Sequence, residues 1–449
     1  MADSAASRGI DAARLVRPGI GEDIHRLAAE LYPICRSITG DGVRQSLDIL
    51  DRHLALERTE VPTGTEVLDW TIPREWNIRD AYVKASDGRR VIDFERSNLS
   101  VLSYSIPVRA HMRLAELRPH LFSLPDEPDR IPYRTSYYAE RWGFCLAHRD
   151  LEAMADDDYE VVIDSELKDG ALTWGEHVHR GASADEVLLS AHICHPSLAN
   201  DNCSGLAVLA LLGAALSGVA TRFTYRFLFA PGTIGAIAWL AANEARACRI
   251  KHGLVVSCLG DSAAPTYKRS RRGNAVVDRA MAHIVATSGP GGRTIAFSPY
   301  GYDERQYGSP GFDLPVGLLQ RSPFGEFREY HTSADDLDFI RPEHLAHSFG
   351  LVASLIEIVE NDGLFINLAP KGEPQLGRRG LYTLIGGDKG APARQMAMLW
   401  VLNQSDGSHS LLDIAERSQL SFSAILAAAR TLEEAGLLAP ARAQDRPQA

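Results

Sequence analysis

The spacing of apolar and polar residues along the chain predicts a regular succession of strands and helices. Largely apolar runs of strand length occur at 187–191, 222–230, 253–259 and 314–320. Segments whose apolar residues recur every three or four positions, as on one face of a helix, occur at 22–32, 43–56, 206–216, 231–244, 274–287 and 341–360. Strands that alternate with helices in this way indicate an α/β fold, with a mostly parallel sheet covered by helices on both faces.

A different texture, in which short strand-like runs alternate with turns, begins near Thr59. The Asp87-Gly88 pair between two of these runs is typical of a β-hairpin. The strand-like runs at 142–148, 159–165 and 172–178 are assigned to the main domain, which comprises 20–60 and 140–365. We therefore predict a small β-rich domain at 60–140, with a core formed by Trp70, Trp76, Tyr82, Phe94 and Tyr104.

The C-terminal part of the chain predicts a third unit. After a connector rich in proline and glycine, three short amphipathic helices at 392–403, 410–418 and 421–435 resemble a winged helix, and we place this domain at 385–440. From residue 391 onward, five arginines face six acidic residues, which leaves a formal charge of about −1. Such a surface is poorly suited to phosphate backbones, so we expect this domain to pack on the chain or to self-associate rather than bind DNA.

The composition of the whole chain narrows the class of protein. Its 449 residues suggest two or three domains, and its formal net charge of −11 argues against nonspecific nucleic-acid binding. The chain contains no run of about 18 apolar residues, so we predict no membrane span. The N-terminus lacks the basic region followed by an apolar region that marks a secretory signal. Six cysteines in so long a chain do not form a disulfide framework, so we expect a cytoplasmic protein.

Candidate chemistry is concentrated in residues 188–205, LLSAHICHPSLANDNCSG. A strand-like run ends at His192, and His195 and Asp201 follow before the most apolar helix of the chain begins. A loop between a strand and a helix lies at the edge of a parallel sheet where ligands bind, and two imidazoles with a carboxylate are good metal ligands. The alternative is a polar loop in which Asp201 caps the helix and the histidines are incidental.

Two further segments contain polar residues between glycine and proline turns. The first, at 298–315, contains Asp303, Glu304 and Arg305, and the second, at 325–340, contains Tyr330 and His331. Acidic surface loops are the simplest interpretation of both. In addition, residues 131–138 (IPYRTSYY) combine arginine with tyrosine, which suits a substrate-facing surface.

The pattern from His192 through Asp201 to Gly205, His-x-x-His-Pro followed by Asn-Asp-Asn-x-Ser-Gly, resembles the metal loop of the zinc aminopeptidase superfamily. It is closest to a bacterial subgroup of aminopeptidase-like proteins with an inserted small domain and a C-terminal winged helix, and the resemblance covers about 20–440. It implies that His192, Asp201 and His331 converge on zinc. It also suggests Asp261 as an acidic ligand, with Ser257 or Cys258 as alternatives, and it leaves His195 to bind metal, orient a ligand or contact substrate.

The sequence departs from this family at 230–236, APGTIGA. Where the aminopeptidases have two adjacent glutamates, the general base and a ligand of a second zinc, this chain has Gly232 and Thr233. We therefore expect one zinc ion rather than two. Glu304 and His195 are the candidate catalytic groups, with Glu326 and Glu329 as other substitute bases. If the protein is a hydrolase whose base is missing, Gly232→Glu should raise the turnover of simple aminoacyl amides. The alternative is that Gly232 makes room for a bulkier substrate or a different reaction.

These observations predict a zinc-dependent amide or peptide hydrolase that acts on a small cytoplasmic metabolite or peptide and that could form homo-oligomers. Arg305, Tyr330 and Asp303 are the candidate substrate contacts, and a guanidinium of Arg305, Arg321 or Arg328 would suit a substrate carboxylate. The alternatives are a single-zinc acyl-transfer or cyclisation enzyme, and a binding or assembly protein that has lost its base.

Overall fold

The computed structural model describes residues 9–381 and 391–441. Its main unit is a mixed sheet of eight strands, which lie in the order β1 (Glu57–Pro62), β10 (Ala171–His179), β12 (Thr224–Ala230), β11 (Glu186–His192), β13 (Ile250–Val256), β16 (Val316–Gln320), β14 (Thr266–Lys268) and β15 (Arg293–Ile295). The four strands from β12 to β16 are parallel, and β10 and β14 flank them in the antiparallel direction. The predicted α/β fold is confirmed.

Fourteen α-helices accompany the strands in the described residues: α1 (Ala12–Leu15), α2 (Ile20–Leu31), α3 (Asp41–Asp51), α4 (Leu114–Leu117), α5 (His148–Glu152), α6 (Gly205–Leu216), α7 (Ile234–Ala242), α8 (Glu244–Ala247), α9 (Val276–Thr287), α10 (Glu304–Tyr307), α11 (Pro342–Asn361), α12 (Ala391–Gln404), α13 (Leu411–Ser418) and α14 (Phe422–Glu434). The helix predicted at 43–56 ends early, at Asp51, because the chain turns there toward β1.

The central strand β11 shows why both faces of the sheet are covered. Val187, Leu189 and Ala191 pack into the core under α2, α6 and α11, whereas Leu188 packs into the opposite core under α7. Successive side chains of a strand point to opposite faces, so a strand such as β11, in which every residue is buried, needs helices on both faces of the sheet. Within the described residues, one stretch, Ala199–Leu216, has the length and hydropathy of a membrane-crossing helix, but 83% of it is buried inside the protein.

The second sheet consists of four strands in the order β5 (Arg90–Asp93), β4 (Glu75–Lys84), β9 (Asp158–Lys168) and β6 (Val108–Arg113). Two strand pairs lie beside it: β2 (Glu66–Val67) with β3 (Trp70–Thr71), and β7 (Leu121–Phe122) with β8 (Phe144–Cys145). The run at 159–165 therefore belongs to the small sheet and not to the main one, so this sheet extends past the predicted boundary at 140. Long-range pairing with β4 and β6, which the local pattern does not encode, decides where this strand lies.

The aromatic residues predicted to form the core of the small domain do not do so as a group. Trp76 and Tyr104 pack into the core beneath the main sheet, and Trp70 is 43% exposed. The small sheet instead encloses aliphatic residues such as Val83 and Ile92. The fully buried aromatic rings of this core are Phe144 and Tyr159, neither of which was in the predicted set.

The C-terminal unit combines α12, α13 and α14 with a three-stranded sheet in the order β18 (Asp406–Ser410), β17 (Leu364–Asn367) and β19 (Leu438–Pro440). This is a winged helix. Its central strand precedes the connector, so the unit begins earlier than the predicted residue 385; positions 385–390 lie outside the described residues. The unit packs on the main domain, since Arg430 of α14 donates hydrogen bonds to Asn361 Oδ1 and to Gly9 O. The predicted absence of DNA binding stays a prediction.

An ion pair with two acidic partners contributes to this docking. Arg279 Nη2 of α9 lies 2.6 Å from Asp413 Oδ1 and also contacts Glu416, both on α13. We expect Arg279→Ala to lower the free energy of unfolding by about 1 kcal/mol, a small effect because these ion pairs are only partly shielded from water. Because the pairs join α9 to α13, their loss should also speed proteolysis within 364–391. Urea unfolding and limited trypsin digestion would measure this. Arg272→Ala, which removes a more exposed pair with Asp313, is the control, and equal proteolysis of the two variants would contradict the role of Arg279.

Candidate active site

The candidate site lies at the carboxyl edge of the parallel strands. β11 ends at His192, and the chain then passes through a loop and a π-helical turn, Ala199–Ser204, into α6. Gly232 follows β12, and Ser257 follows β13, at the same edge. Parallel strands in register bring these ends together, which is why residues far apart in sequence meet here.

Three histidines surround the carboxylate of Asp201. His192 Nε2 lies 2.8 Å from Asp201 Oδ1, and His331 Nε2 lies 3.0 Å from Asp201 Oδ2. His195 Nε2 lies 3.9 Å from the same Oδ2, and Ser257 Oγ donates a hydrogen bond of 3.2 Å to Oδ1. The structure therefore brings together the three residues that the resemblance implied and adds His195.

Burial and charge set the protonation of this group, which we call the histidine cluster (His192, His195, Asp201 and His331). His192 and Asp201 are each 1% exposed, whereas the His331 side chain is 31% exposed. Burial alone would raise the pKa of Asp201, but the imidazoles of His195 and His192 hold it well below its ordinary value. Burial also lowers the pKa of His195, so this imidazole is neutral near pH 7.

The cluster has the chemistry of a zinc site. Donor atoms that bind one tetrahedral zinc at roughly 2.0–2.2 Å are about 3.4 Å apart, and the separations of 2.8, 3.0 and 3.9 Å in the cluster bracket that value. One donor atom from each of His192, His195 and Asp201 also lies within 4.8 Å of the other two. His192, His195 and Asp201 therefore fit a metal ion such as zinc, and His331, which faces Asp201 Oδ2, is a further nitrogen donor beside the same carboxylate.

Asp261, proposed as a further ligand, does not face the cluster. Its Oδ2 accepts a hydrogen bond of 2.8 Å from Asn200 Nδ2, and its Oδ1 accepts one of 2.9 Å from Ser322 Oγ. The residue directly after β13 is Ser257, and three more residues carry the chain past the strand end before Asp261. Asp335 supports the same loop, because its carboxylate accepts hydrogen bonds from the backbone N–H groups of Asn200 and Asp201.

The space beside Gly232 is filled by another side chain, so it is not a vacant position for a base. A Cβ atom on Gly232 would lie 2.0 Å from Tyr302 Cε1 and 2.6 Å from the Tyr302 hydroxyl oxygen. The Tyr302 ring in turn lies 4.1 Å from the ring of His192. A glutamate at 232 would therefore have to displace Tyr302, which argues against a simple rescue, and the effect of Gly232→Glu on turnover stays a prediction.

The structure places the acidic candidates of 298–315 behind the cluster. Glu304 is fully buried; its Oε1 accepts a hydrogen bond of 2.8 Å from Lys268 Nζ, and its Oε2 accepts one of 2.9 Å from the backbone N–H of Tyr302. Within the described residues it forms no hydrogen bond to the cluster, so it positions Tyr302 rather than acting as a base. Asp303 is also fully buried, and both of its carboxylate oxygens and Arg305 Nε lack a hydrogen-bond partner in the described part of the chain, so their role as substrate contacts stays a prediction.

The remaining candidates lie at the open side or are already paired. The Tyr330 ring stacks on His331 at 3.9 Å, which keeps Tyr330 as a candidate substrate contact. The other charged groups have partners elsewhere: Arg328 with Glu127, Arg321 with His347, Glu326 with Arg293 and Glu329 with Arg130.

The sequence predicted that residues 131–138 face the substrate, but it did not identify Tyr133 as the residue that contacts the histidine cluster. The Tyr133 ring lies 5.2 Å from the rings of both His195 and His331, and its backbone N–H donates to the His331 carbonyl over 2.8 Å. Arg134 points elsewhere, toward the Phe122 ring. Tyr302 is the second aromatic residue beside the histidine cluster. Nothing in the sequence identified it except its position in a glycine-rich loop.

Comparisons with known proteins agree with the fold of the main unit and of the C-terminal unit. A family model described as a domain of unknown function (DUF4910) matches residues 25–362, and a winged helix-turn-helix model matches 364–440. A Clostridium acetobutylicum protein, named for polysaccharide biosynthesis and an aminopeptidase-like domain, is 50% identical over 418 residues, 93% of this chain and 96% of that one. A crystal structure of a protein named as a peptidase from the same species has a TM-score of 0.89 at 48% identity and covers 96% of this chain and 98% of that one. A zinc aminopeptidase of Bacillus subtilis, 14% identical with a TM-score of 0.55 over 77% of this chain and 94% of its own, shares the fold.

Proposed function

The chain belongs to the DUF4910 family of aminopeptidase-like proteins, and we propose that it is a zinc-dependent hydrolase of amide or peptide bonds in a small molecule or peptide. The observation that carries this proposal is the carboxylate of Asp201, each of whose oxygens faces an imidazole at the ligand-binding edge of the sheet. His192, Asp201 and His331 would hold one ion. Zinc there would supply Lewis acidity toward a substrate carbonyl and make water nucleophilic near neutral pH.

His195 is the group available for proton transfer. Its Nδ1 lies 3.2 Å from Cys194 Sγ, and its Nε2 lies near Asp201 Oδ2. A neutral imidazole can accept a proton from water at Nε2 and return it to a leaving amine. Aminopeptidases carry their carboxylate base at the position of Gly232, and here the Tyr302 ring fills the space beside that residue. His195 therefore acts as the general base in this proposal.

The surrounding tyrosines limit access to one side. Tyr133 covers His195 and His331, and Tyr302 covers His192. His331, Tyr330 and Tyr302 are partly open to solvent, whereas His192, His195 and Tyr133 are buried. A substrate would enter along Tyr330, which favours a small or terminal group over an internal segment of a folded protein. The relative's name suggests an intermediate of polysaccharide biosynthesis as the substrate.

A single-zinc acyl-transfer or cyclisation enzyme is the second candidate. The observation that favours it is the packing of Tyr302 into the space beside Gly232, which removes room for a carboxylate base. Lewis acidity would still serve such a reaction, because an amine or hydroxyl of the substrate replaces water as the nucleophile.

The experiment compares His195→Gln with His192→Ala in zinc content and in turnover of a panel of aminoacyl amides. We expect His195→Gln to keep about one zinc and to lose a factor of about 10²–10⁴ in kcat, the usual contribution of a positioned base. His192→Ala should lose the metal. His111→Gln, at an exposed histidine outside the site, is the control.

Three outcomes would contradict parts of this proposal. Loss of zinc in His195→Gln would make His195 a ligand and remove its role as a base. Zinc-loaded protein that transfers acyl groups to added amines but does not hydrolyse amides would favour the second candidate. If zinc-loaded protein showed no turnover in either assay, a binding protein without catalytic activity would be the favoured function.

A further inference from the structure

We propose that the amino-terminal edge of the main sheet, opposite the histidine cluster, carries a second site that binds the phosphate group of a small hydroxylated molecule. A cavity of about 360 Å³ lies there, where β11, β12 and β13 begin. Its lining includes four arginines and three glutamates, which gives a formal charge of +1 in a chain whose net charge is −11. This site is separate from the proposed hydrolytic centre.

The floor of the cavity is a hydrogen-bonded group of Arg226 with two glutamates, whose formal charges sum to −1. Arg226, which is 2% exposed, donates from Nε and Nη2 to Glu186 over 2.8 and 3.1 Å and from Nη1 to Glu176 over 2.9 Å. Trp239 Nε1 donates to the same Glu176 oxygen over 3.0 Å. Because these carboxylates are held by Arg226, they offset only part of the positive charge at the rim.

The rim consists of three arginines from separate segments: Arg180 after β10, Arg246 in α8 and Arg249 before β13. All three are exposed, and within 9–381 and 391–441 none has an ion pair or a side-chain hydrogen bond. Elsewhere on the surface, arginines such as Arg79 and Arg149 pair with nearby aspartates. Three unpaired guanidinium groups around one cavity repel one another, and an anion bound between them would relieve that repulsion.

The lining also indicates the chemistry of the ligand. A guanidinium fork matches the oxygens of a phosphate and can bind two of them at once. The exposed Glu57 and the glutamates of the floor accept hydrogen bonds and so suit hydroxyl groups on the same ligand. The cavity exceeds the volume of a lone phosphate, so a phosphate monoester of a small polyol fits it best.

The test is calorimetric titration of the full-length protein at low ionic strength with inorganic phosphate and with glycerol 3-phosphate. We expect wild type to bind both, glycerol 3-phosphate more tightly. Arg246→Ala/Arg249→Ala should weaken binding at least about 10-fold, because two charge-assisted contacts are lost. The control is Arg118→Ala/Arg378→Ala, which removes the same charge from exposed arginines elsewhere and should change affinity less than about twofold.

Zinc itself can bind phosphate, so the titrations are run on zinc-loaded and on EDTA-dialysed protein. If the two protein samples bind the ligand with equal affinity, the ligand lies away from the histidine cluster. This result is then independent of whether the proposed hydrolase activity is found. Binding that disappears with zinc would overturn the proposal, as would wild-type protein that binds neither probe. Equal weakening in the control variant would also overturn it, because it would show a general charge effect.

Discussion

Asp201→Ala is expected to abolish stoichiometric zinc binding and, with it, hydrolysis of any amide substrate. Both oxygens of this carboxylate face imidazoles, at 2.8 and 3.0 Å, so the variant removes the group that links His192 to His331. Loss of a residue that merely supports a metal ligand typically costs 10–100-fold in affinity, so loss of the ligand itself should exceed about 100-fold. Metal analysis after dialysis against micromolar zinc would measure the effect.

Two further variants make the test specific. Asp201→Asn keeps the shape and one oxygen, so it should retain zinc more weakly than wild type but better than Asp201→Ala. Asp126→Ala, at an exposed aspartate outside the site, should bind zinc normally. If Asp201→Ala retained one tightly bound zinc per chain, the cluster would not be the metal site.

Lys268→Ala is expected to lower the free energy of unfolding by about 3–5 kcal/mol, the usual result of leaving one charge of a buried pair without its partner. The side chains of Lys268 and Glu304 are 4% and 0% exposed, and 2.8 Å separates Lys268 Nζ from Glu304 Oε1. Lys268 also donates to the Tyr300 carbonyl, so its loss should free the loop that holds Tyr302 against His192. Urea unfolding monitored by circular dichroism would give the value.

The double variant Lys268→Met/Glu304→Gln tests the mechanism. Removing both charges leaves no buried ion, so the double variant should recover at least half of the stability lost in Lys268→Ala. Lys251→Ala removes a solvent-exposed ion pair with Asp185, separated by 3.8 Å, and should change stability by less than about 1 kcal/mol. A loss below about 1 kcal/mol in Lys268→Ala would contradict the importance of the buried pair.

The part of the candidate site that could be predicted lies within local motifs. His192, His195 and Asp201 occupy one loop between a strand and a helix, so their proximity follows from sequence distance. His331 was predicted only through its resemblance to a family motif, since nothing local relates it to that loop. Asp261 was misplaced because the direction of a side chain past a strand end depends on the turn that follows.

Gly232 shows the opposite case, where an absent side chain had two explanations. The sequence showed that a carboxylate was missing, and a vacant place for a base was one interpretation. The structure shows that Tyr302, from a loop distant in sequence, occupies that space and covers His192. A glycine can mark close approach of another group, but the sequence does not identify the group.

The sequence by itself determined the α/β architecture, the C-terminal winged helix and the loop that presents His192 and Asp201. Periodicity and turn residues act over a few positions, and burial of apolar faces then leaves few arrangements of these elements. Only the tertiary structure decided that β9 joins the small sheet, that Tyr133 and Tyr302 enclose the histidine cluster and that Glu304 pairs with Lys268. It also gathered Arg180, Arg246 and Arg249 around one cavity. These features depend on long-range packing, in which strand pairing and loop paths bring distant segments together, and no local pattern encodes which segments will meet.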